Sequence, residues 1–331
     1  MIHRLQAFAF NILFIIAGDG IDAIHSTRRF FRAPLQKSMN FWFRPVDVIN
    51  LRWFEGVLMF SVIYYFASYL KTPAYWLSEK GHHVSPEATL SHYIPPPVLV
   101  PESWLPFVTV AFFTFSSLYM FGYFRRYLVW LFLAVAVYVQ AMDQPSSFTI
   151  NRMFIISFFV LALQSPTFIR DGKQMIAGWV PRFFQLTLFV QYSTAGVCKM
   201  VSGDWLAFGR GDWLYSLNLV MPDIVWTQSQ GHYKNYISAY AVNYLPWPIW
   251  WTLAMSTMIF ETGFPFLFIW KRLRIPTLVF GVVFHLGIAI LMKDLIYFSL
   301  QMITAYVLFL PPQYLYDFKR WLKGKWFSAS S

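Results

Sequence analysis

Eight apolar stretches divide the chain, at 52–70, 104–122, 127–143, 152–168, 183–200, 247–269, 275–292 and 294–311. Each is long enough as a helix to cover most of a hydrocarbon layer roughly 30 Å thick, whereas barrel strands would alternate in polarity over about ten residues. Composition points the same way. Of 331 residues, 57% are hydrophobic, 21% aromatic and 12% charged. The charged share is about half that of an ordinary soluble domain. A water-facing fold of this size has nowhere to hide so much apolar surface. The sequence therefore predicts an all-α fold, a polytopic membrane bundle of about eight transmembrane helices.

The net charge of +11 would suggest nucleic acid in a soluble protein. In a membrane chain it is accounted for by the positive-inside rule, and no nucleic-acid partner is expected. With the N-terminus inside and eight spans, the inner segments are 1–52, 125–126, 169–182, 271–274 and 312–331. They hold nineteen of the 26 Lys and Arg residues. Both termini are thus expected on the cytoplasmic side. Three regions follow: a cytoplasmic amphipathic and basic segment over 1–41, a transmembrane domain over 42–312 and a basic, aromatic cytoplasmic tail over 313–331. Leu5–Ala17 is too short to span and reads as an interfacial helix. Arg28, Arg29, Arg32, Lys37 and Arg44 suit the anionic headgroups of an inner leaflet, or serve to set topology. Met1–Ile16 is followed by no small-x-small site, so no cleavable leader is expected. The outer loops carry no N-x-S/T site, which favours a bacterial inner membrane.

Ionisable groups inside a membrane are costly, and each is a functional candidate. Glu261 lies in the sixth stretch, His285 is mid-way along the seventh, and Lys199 closes the fifth. Asp143, Asn151 and Arg152 bracket the turn between the third and fourth. Together with Asp204 they fall in the outer half, where an outward-opening cavity can gather them. A desolvated lysine there serves as a general base, and a neighbouring histidine can hydrogen-bond a substrate oxygen. Structural readings stand beside these. Lys199 can snorkel, His285 can tie two helices, and Glu261 can brace a helix broken at Gly263 and Pro265. Arg52 and Glu55 read as an i, i+3 pair at the inner surface. The outer His82, His83, His92 and His232 lack the spacing of a helix-borne ligand pair, and no metal is predicted. The one cysteine, Cys198, excludes an intramolecular disulfide; it is either a low-pKa thiol beside Lys199 or an inert buried one. The outer loops 71–103 and 201–246 are long, the second rich in Trp and Tyr, and are expected at the interface or capping the bundle.

Four segments in order carry a resemblance. They are Arg44-Pro45-Val46-Asp47 with Arg52 and Gly56; Tyr192 to Met200 followed by Gly203-Asp204-Trp205; Phe260-Glu261; and Phe284-His285 with Phe298-Ser299 and Met302. Over roughly residues 42–312 the chain resembles the horizontally transferred transmembrane (HTTM) domain, the membrane domain shared with vitamin K-dependent gamma-glutamyl carboxylase. The resemblance implies a reduced quinone, vitamin K hydroquinone-like, deprotonated by a lysine that falls on Lys199. In that family the oxygenated quinone then abstracts a proton from a glutamate and carbon dioxide adds. Lys199 and His285 are the implied catalytic residues, and Asn151, Glu261, Asp204 and Trp205 the implied cofactor-binding set. A peptide, protein or small-molecule substrate is implied on the outer face. Two departures stand out. The first lysine of the family's pair is Cys198 here, and Asn151 stands near the place of the family's histidine. The chain ends soon after the last stretch, so no counterpart of the carboxylase's extracytoplasmic domain is expected. The rival to an enzyme is a scaffold or maturation partner that keeps the fold without the chemistry. A transporter is disfavoured by the lack of repeated halves.

Overall fold

The computed structural model describes residues 36, 38–80, 98–142, 149–202, 244–291 and 295–328. These residues are mostly helical. The elements run β1 (Val46–Asp47), α1 (Ile49–Tyr69), α2 (Pro73–Leu77), α3 (Leu105–Met120), α4 (Arg125–Met142), α5 (Thr149–Ala162), β2 (Phe168–Arg170), β3 (Lys173–Ile176), α6 (Trp179–Ser202), α7 (Trp247–Ile269), α8 (Lys271–Leu291), α9 (Ile296–Tyr306) and α10 (Pro312–Ser328). Each of the eight apolar stretches falls largely on a helix. Among the described residues, three helical segments, Glu102–Met120, Arg125–Met142 and Lys271–Ile290, are long and apolar enough to cross a membrane.

One addition to the all-α expectation is a three-stranded antiparallel sheet of order β1-β3-β2. Its hairpin closes through Asp171 and Gly172, both at positive φ, 52° and 71°. Asp-Gly is the pair that a two-residue hairpin turn of that hand requires. Val46 pairs with Ile176, and Val48 N–H donates to Gln174 O at 3.1 Å. The sheet thus straps the start of α1 to the connection between α5 and α6.

α1 is the central element. Leu51, Phe54, Leu58, Met59, Val62, Tyr65 and Phe66 are all buried, and they anchor a core shared with α4 and α5. A second core lies among α6, α7, α8 and α9. The two are tied by polar contacts that need no water. Ser61 and Thr304 share a hydrogen bond of 2.9 Å. Asn50 Nδ2 donates to Val307 O at 2.9 Å and to Leu310 O at 2.7 Å, where the chain leaves α9 with helix-end carbonyls to satisfy. Outward faces are apolar instead. Only 17% of the Glu102–Met120 window is buried, and Phe107 and Val110 stand exposed on it, as lipid contact requires.

Residues near 46–55, 125, 164–176 and 316 meet at one end of the bundle. Tyr316 of α10 donates to both oxygens of Asp47, at 3.1 and 3.0 Å. Burial first, and then the Asp47 carboxylate, raises its phenol above the usual value. Phe318 packs on Trp53 at 5.4 Å. The expected Arg52–Glu55 pair is part of something larger. Glu55 is fully buried, and its Oε2 receives Arg52 at 2.8 Å and Arg125 at 3.0 Å. Its Oε1 receives Gln164 Nε2 at 3.3 Å. One carboxylate therefore joins α1 to the start of α4 and to the segment just beyond α5.

Removing one partner of a buried ionic cluster leaves the others unpaired. Glu55→Leu should destabilise the protein by about 3–5 kcal/mol, since Arg52 and Arg125 then repel across an apolar gap. Thermal unfolding in detergent should show a large drop for Glu55→Leu and a smaller one for Gln164→Leu.

Candidate functional site

The candidate site is assembled by two close helix approaches. At Gly196 on α6, an added Cβ would lie 2.6 Å from both the backbone N and the Cγ2 of Thr262 on α7. Only glycine lets the two helices come this near. Three residues beyond Gly196 is Lys199, and next to Thr262 is Glu261. Their side chains meet, with Lys199 Nζ donating to Glu261 Oε2. The lysine side chain is 22% exposed and the glutamate's 9%. Isolated, either charge would be expensive in a bilayer; together they are mutually neutralised.

The second approach is at Gly281 on α8, where a Cβ would run into the ring and hydroxyl of Tyr306 on α9. One turn further along α8, His285 is buried. The hydroxyl of Tyr192, on α6, bridges His285 Nε2 and the Tyr306 hydroxyl. Three helices thus meet at one phenol. Tyr192 and Lys199 are seven residues apart, two turns and about 10 Å along one face of α6. Phe264 packs on Tyr192 at 4.2 Å and is stacked on Tyr306 at 6.1 Å. Phe284 and Phe298 stand edge-on to the His285 ring, at 5.1 and 5.8 Å.

This arrangement can relay protons. The Tyr192 hydroxyl donates to one neighbour and accepts from the other, so its orientation sets the tautomer of His285. Where Tyr192 donates to Nε2, the ring proton is on Nδ1; where Nε2 donates, Nδ1 is an acceptor. His285 Nδ1 is buried with no hydrogen-bond partner, as is Ser299 Oγ on α9. A ligand oxygen, as hydroxyl, would satisfy Nδ1 in either tautomer.

The sequence candidates divide. Lys199 and Glu261 are brought together, and His285 joins them through α6. Asn151 is not part of this group. It is buried on α5, where its Nδ2 donates to Ala136 O at 3.0 Å and to Gln140 Oε1 at 3.2 Å, binding α5 to α4. Asp204 and Trp205 lie outside the described residues, as do His82, His83, His92, His232 and most of both long loops. Cys198 is exposed on the protein's surface. α7 runs unbroken through Gly263 and Pro265, so Glu261 braces no gap between helix halves and instead holds Lys199. Tyr192 and Tyr306 have no place among the candidates read from sequence. The signal available was spacing alone: Tyr192 is two turns before Lys199, on its face. A cavity of about 900 Å³ lies at the Arg52 end and is not lined by any of these residues.

Because the Tyr192 hydroxyl serves two partners, Tyr192→Phe strands both the Tyr306 hydroxyl and His285 Nε2. It should cost about 1–3 kcal/mol for each group left unsatisfied. Tyr306→Phe leaves the Tyr192–His285 bond intact and should cost less. Paired thermal melts in one detergent measure the order.

No family model, curated protein or solved structure matches the chain.

Proposed function

We propose that this chain is a carboxylase-like membrane enzyme of the HTTM type, working with a reduced quinone at an outward-facing site. The observation that carries the reading is the Lys199–Glu261 pair, set two helical turns from the Tyr192–His285–Tyr306 cluster on one face of α6. A hydroquinone has an acidic hydroxyl at each end of an aromatic ring, and this set has a basic pair, an open imidazole nitrogen and an aromatic lining. When bound, such a group would give its electrons to dioxygen, and the strongly basic oxygenated quinone so formed would remove the proton of a carbon acid.

The chain's part is proton handling. Lys199 carries a proton while it is paired, so it becomes a base only as that proton passes to Glu261. With a hydroquinone bound, the pair would accept a proton from a ligand hydroxyl, and its resulting single positive charge would stabilise the anion left behind. His285 Nδ1 would hold a second ligand oxygen, with Tyr192 and Tyr306 setting the imidazole tautomer. Asn151 Nδ2 ties α5 to α4, and its buried Oδ1 has no partner among the described residues.

In the membrane arrangement that fits this reading, eight helices span, both termini are cytoplasmic, and the membrane is a bacterial inner membrane. The clustering of Arg52, Arg125, the β2–β3 hairpin and α10 at one end supports a common inner side, with Lys199 toward the other. A peptide, protein or small molecule reaching the outer face is the substrate class. One observation favours a second reading, a non-enzymatic scaffold or maturation partner. The ion pair joining α6 to α7 over Gly196 is also what a purely structural clamp would use.

Bound lipid extracted from the detergent-purified protein and identified by mass spectrometry tests the proposal. A quinone should co-purify with wild type and be lost from Lys199→Ala and from His285→Ala. Lys199→Arg keeps the ion pair but holds its proton, so it should retain the quinone and fail to deprotonate it. No quinone from wild type would shift the reading to the scaffold.

A further inference from the structure

A second site stands at the opposite end of the bundle. Its cavity, about 380 Å³, is lined by Arg52 of α1, Arg125 and Arg126 at the start of α4, and Gln164, Ser165 and Thr167 just beyond α5. Three arginines therefore border one pocket, and among the described residues no acidic one lines it. Glu55, the carboxylate shared by Arg52 and Arg125, is fully buried behind them. Among the described residues, one carboxylate between the Arg52 and Arg125 guanidinium groups leaves this end positive.

The backbone maintains this arrangement at some cost. α4 has no acidic residue in its first turn; it opens on two arginines, where the positive end of the helix dipole disfavours cations. The turn before it holds Gly122 at φ 96° and Phe124 at φ 52°. At that φ a side chain on Gly122 would be strained, and its position is in ordinary contact, 3.5 Å, with the Arg125 guanidinium. Arg125 is further fixed by Nε donating to Tyr119 O at 3.3 Å. Ser165 Oγ and Gln164 Oε1 are buried without hydrogen-bond partners. An arginine pair placed against a helix dipole, with a rigidly held fork and an unused hydroxyl, is what an anion would relieve.

We infer that this pocket binds a phosphate group, through the guanidinium forks of Arg52, Arg125 and Arg126 and the Ser165 hydroxyl. Phosphate fits because its tetrahedral oxygens take several forked donors at once, and because the cavity accommodates a diester headgroup. The unused Gln164 Oε1 accepts from a hydroxyl or ammonium attached to that phosphate. The group belongs to a phospholipid headgroup or to a free phosphate, and one experiment separates the two sources.

Delipidated protein in a neutral detergent is titrated with phosphatidylglycerol in mixed micelles and, separately, with inorganic phosphate, following the thermal midpoint. Arg126→Gln is the main variant, because it leaves Arg52 and Arg125 on Glu55 and the fold should survive it. Lys319→Gln, in the neighbouring 900 Å³ cavity, is the control. Phosphatidylglycerol should stabilise wild type saturably, with about a tenfold weaker midpoint concentration in Arg126→Gln, the order expected for one charge-assisted contact. Lys319→Gln should match wild type, and Arg126→Lys should recover only part of the loss. Stabilisation by both probes, in competition, identifies a site for any phosphate; stabilisation by phosphatidylglycerol alone identifies a lipid site. Equal response of wild type and Arg126→Gln, or no saturable response to either probe, overturns the inference.

Discussion

The geometry of this bundle rests on how near two backbones can come. At Gly196 and at Gly281 a single hydrogen stands where any other residue would place a carbon into a neighbouring helix. In lipid there is little hydrophobic gain from bringing helices together, so packing and polar contacts must hold them. Close approach is the condition for both. It brings Lys199 within reach of Glu261 across α6 and α7, and brings the Tyr306 phenol beside α8, where it can share Tyr192 with His285. Each glycine precedes the polar residue it serves by about one turn. The polar groups are therefore consequences of the packing as much as contributors to it.

The two ends of the bundle solve the problem of buried charge differently. Near Lys199, among the described residues, one cation meets one anion. Near Glu55 one carboxylate is shared between two arginines, and the imbalance is carried by the fold. A proton passing from Lys199 to Glu261 leaves that pair neutral. An unbalanced cluster attracts a counter-charge and holds it. The strap formed by β1 and β3, with α10 clasped to Asp47, ties the charged end together.

Much of this was legible in the sequence. Twenty-residue apolar runs marked the helices, and the rarity of charge within them marked Lys199, Glu261 and His285. The pairing of Lys199 with Glu261 was not legible, because it depends on a helix crossing between residues 62 apart in the chain. Nor was the role of Tyr192, since one tyrosine of 19, in a chain with 36 phenylalanines, looks like filling. Asn151 was marked by its place near the family's histidine, and the structure adds that its Nδ2 bonds α4 while its Oδ1 is buried without a partner among the described residues. The sheet escaped notice because its strands are two to four residues long, though Asp171-Gly172 announced the turn.

The proline inside α7 has a mechanical meaning. Pro265 has no N–H to give, so the carbonyl four residues back receives nothing from it, and that carbonyl belongs to Glu261. The residue that grips Lys199 thus sits at the point within α7 where a rung of the helix ladder is missing. A helix bends most easily at such a rung. Movement there alters the reach of a carboxylate whose partner is anchored on another helix, so the stiffness of α7 and the strength of the ion pair are tuned by the same missing bond.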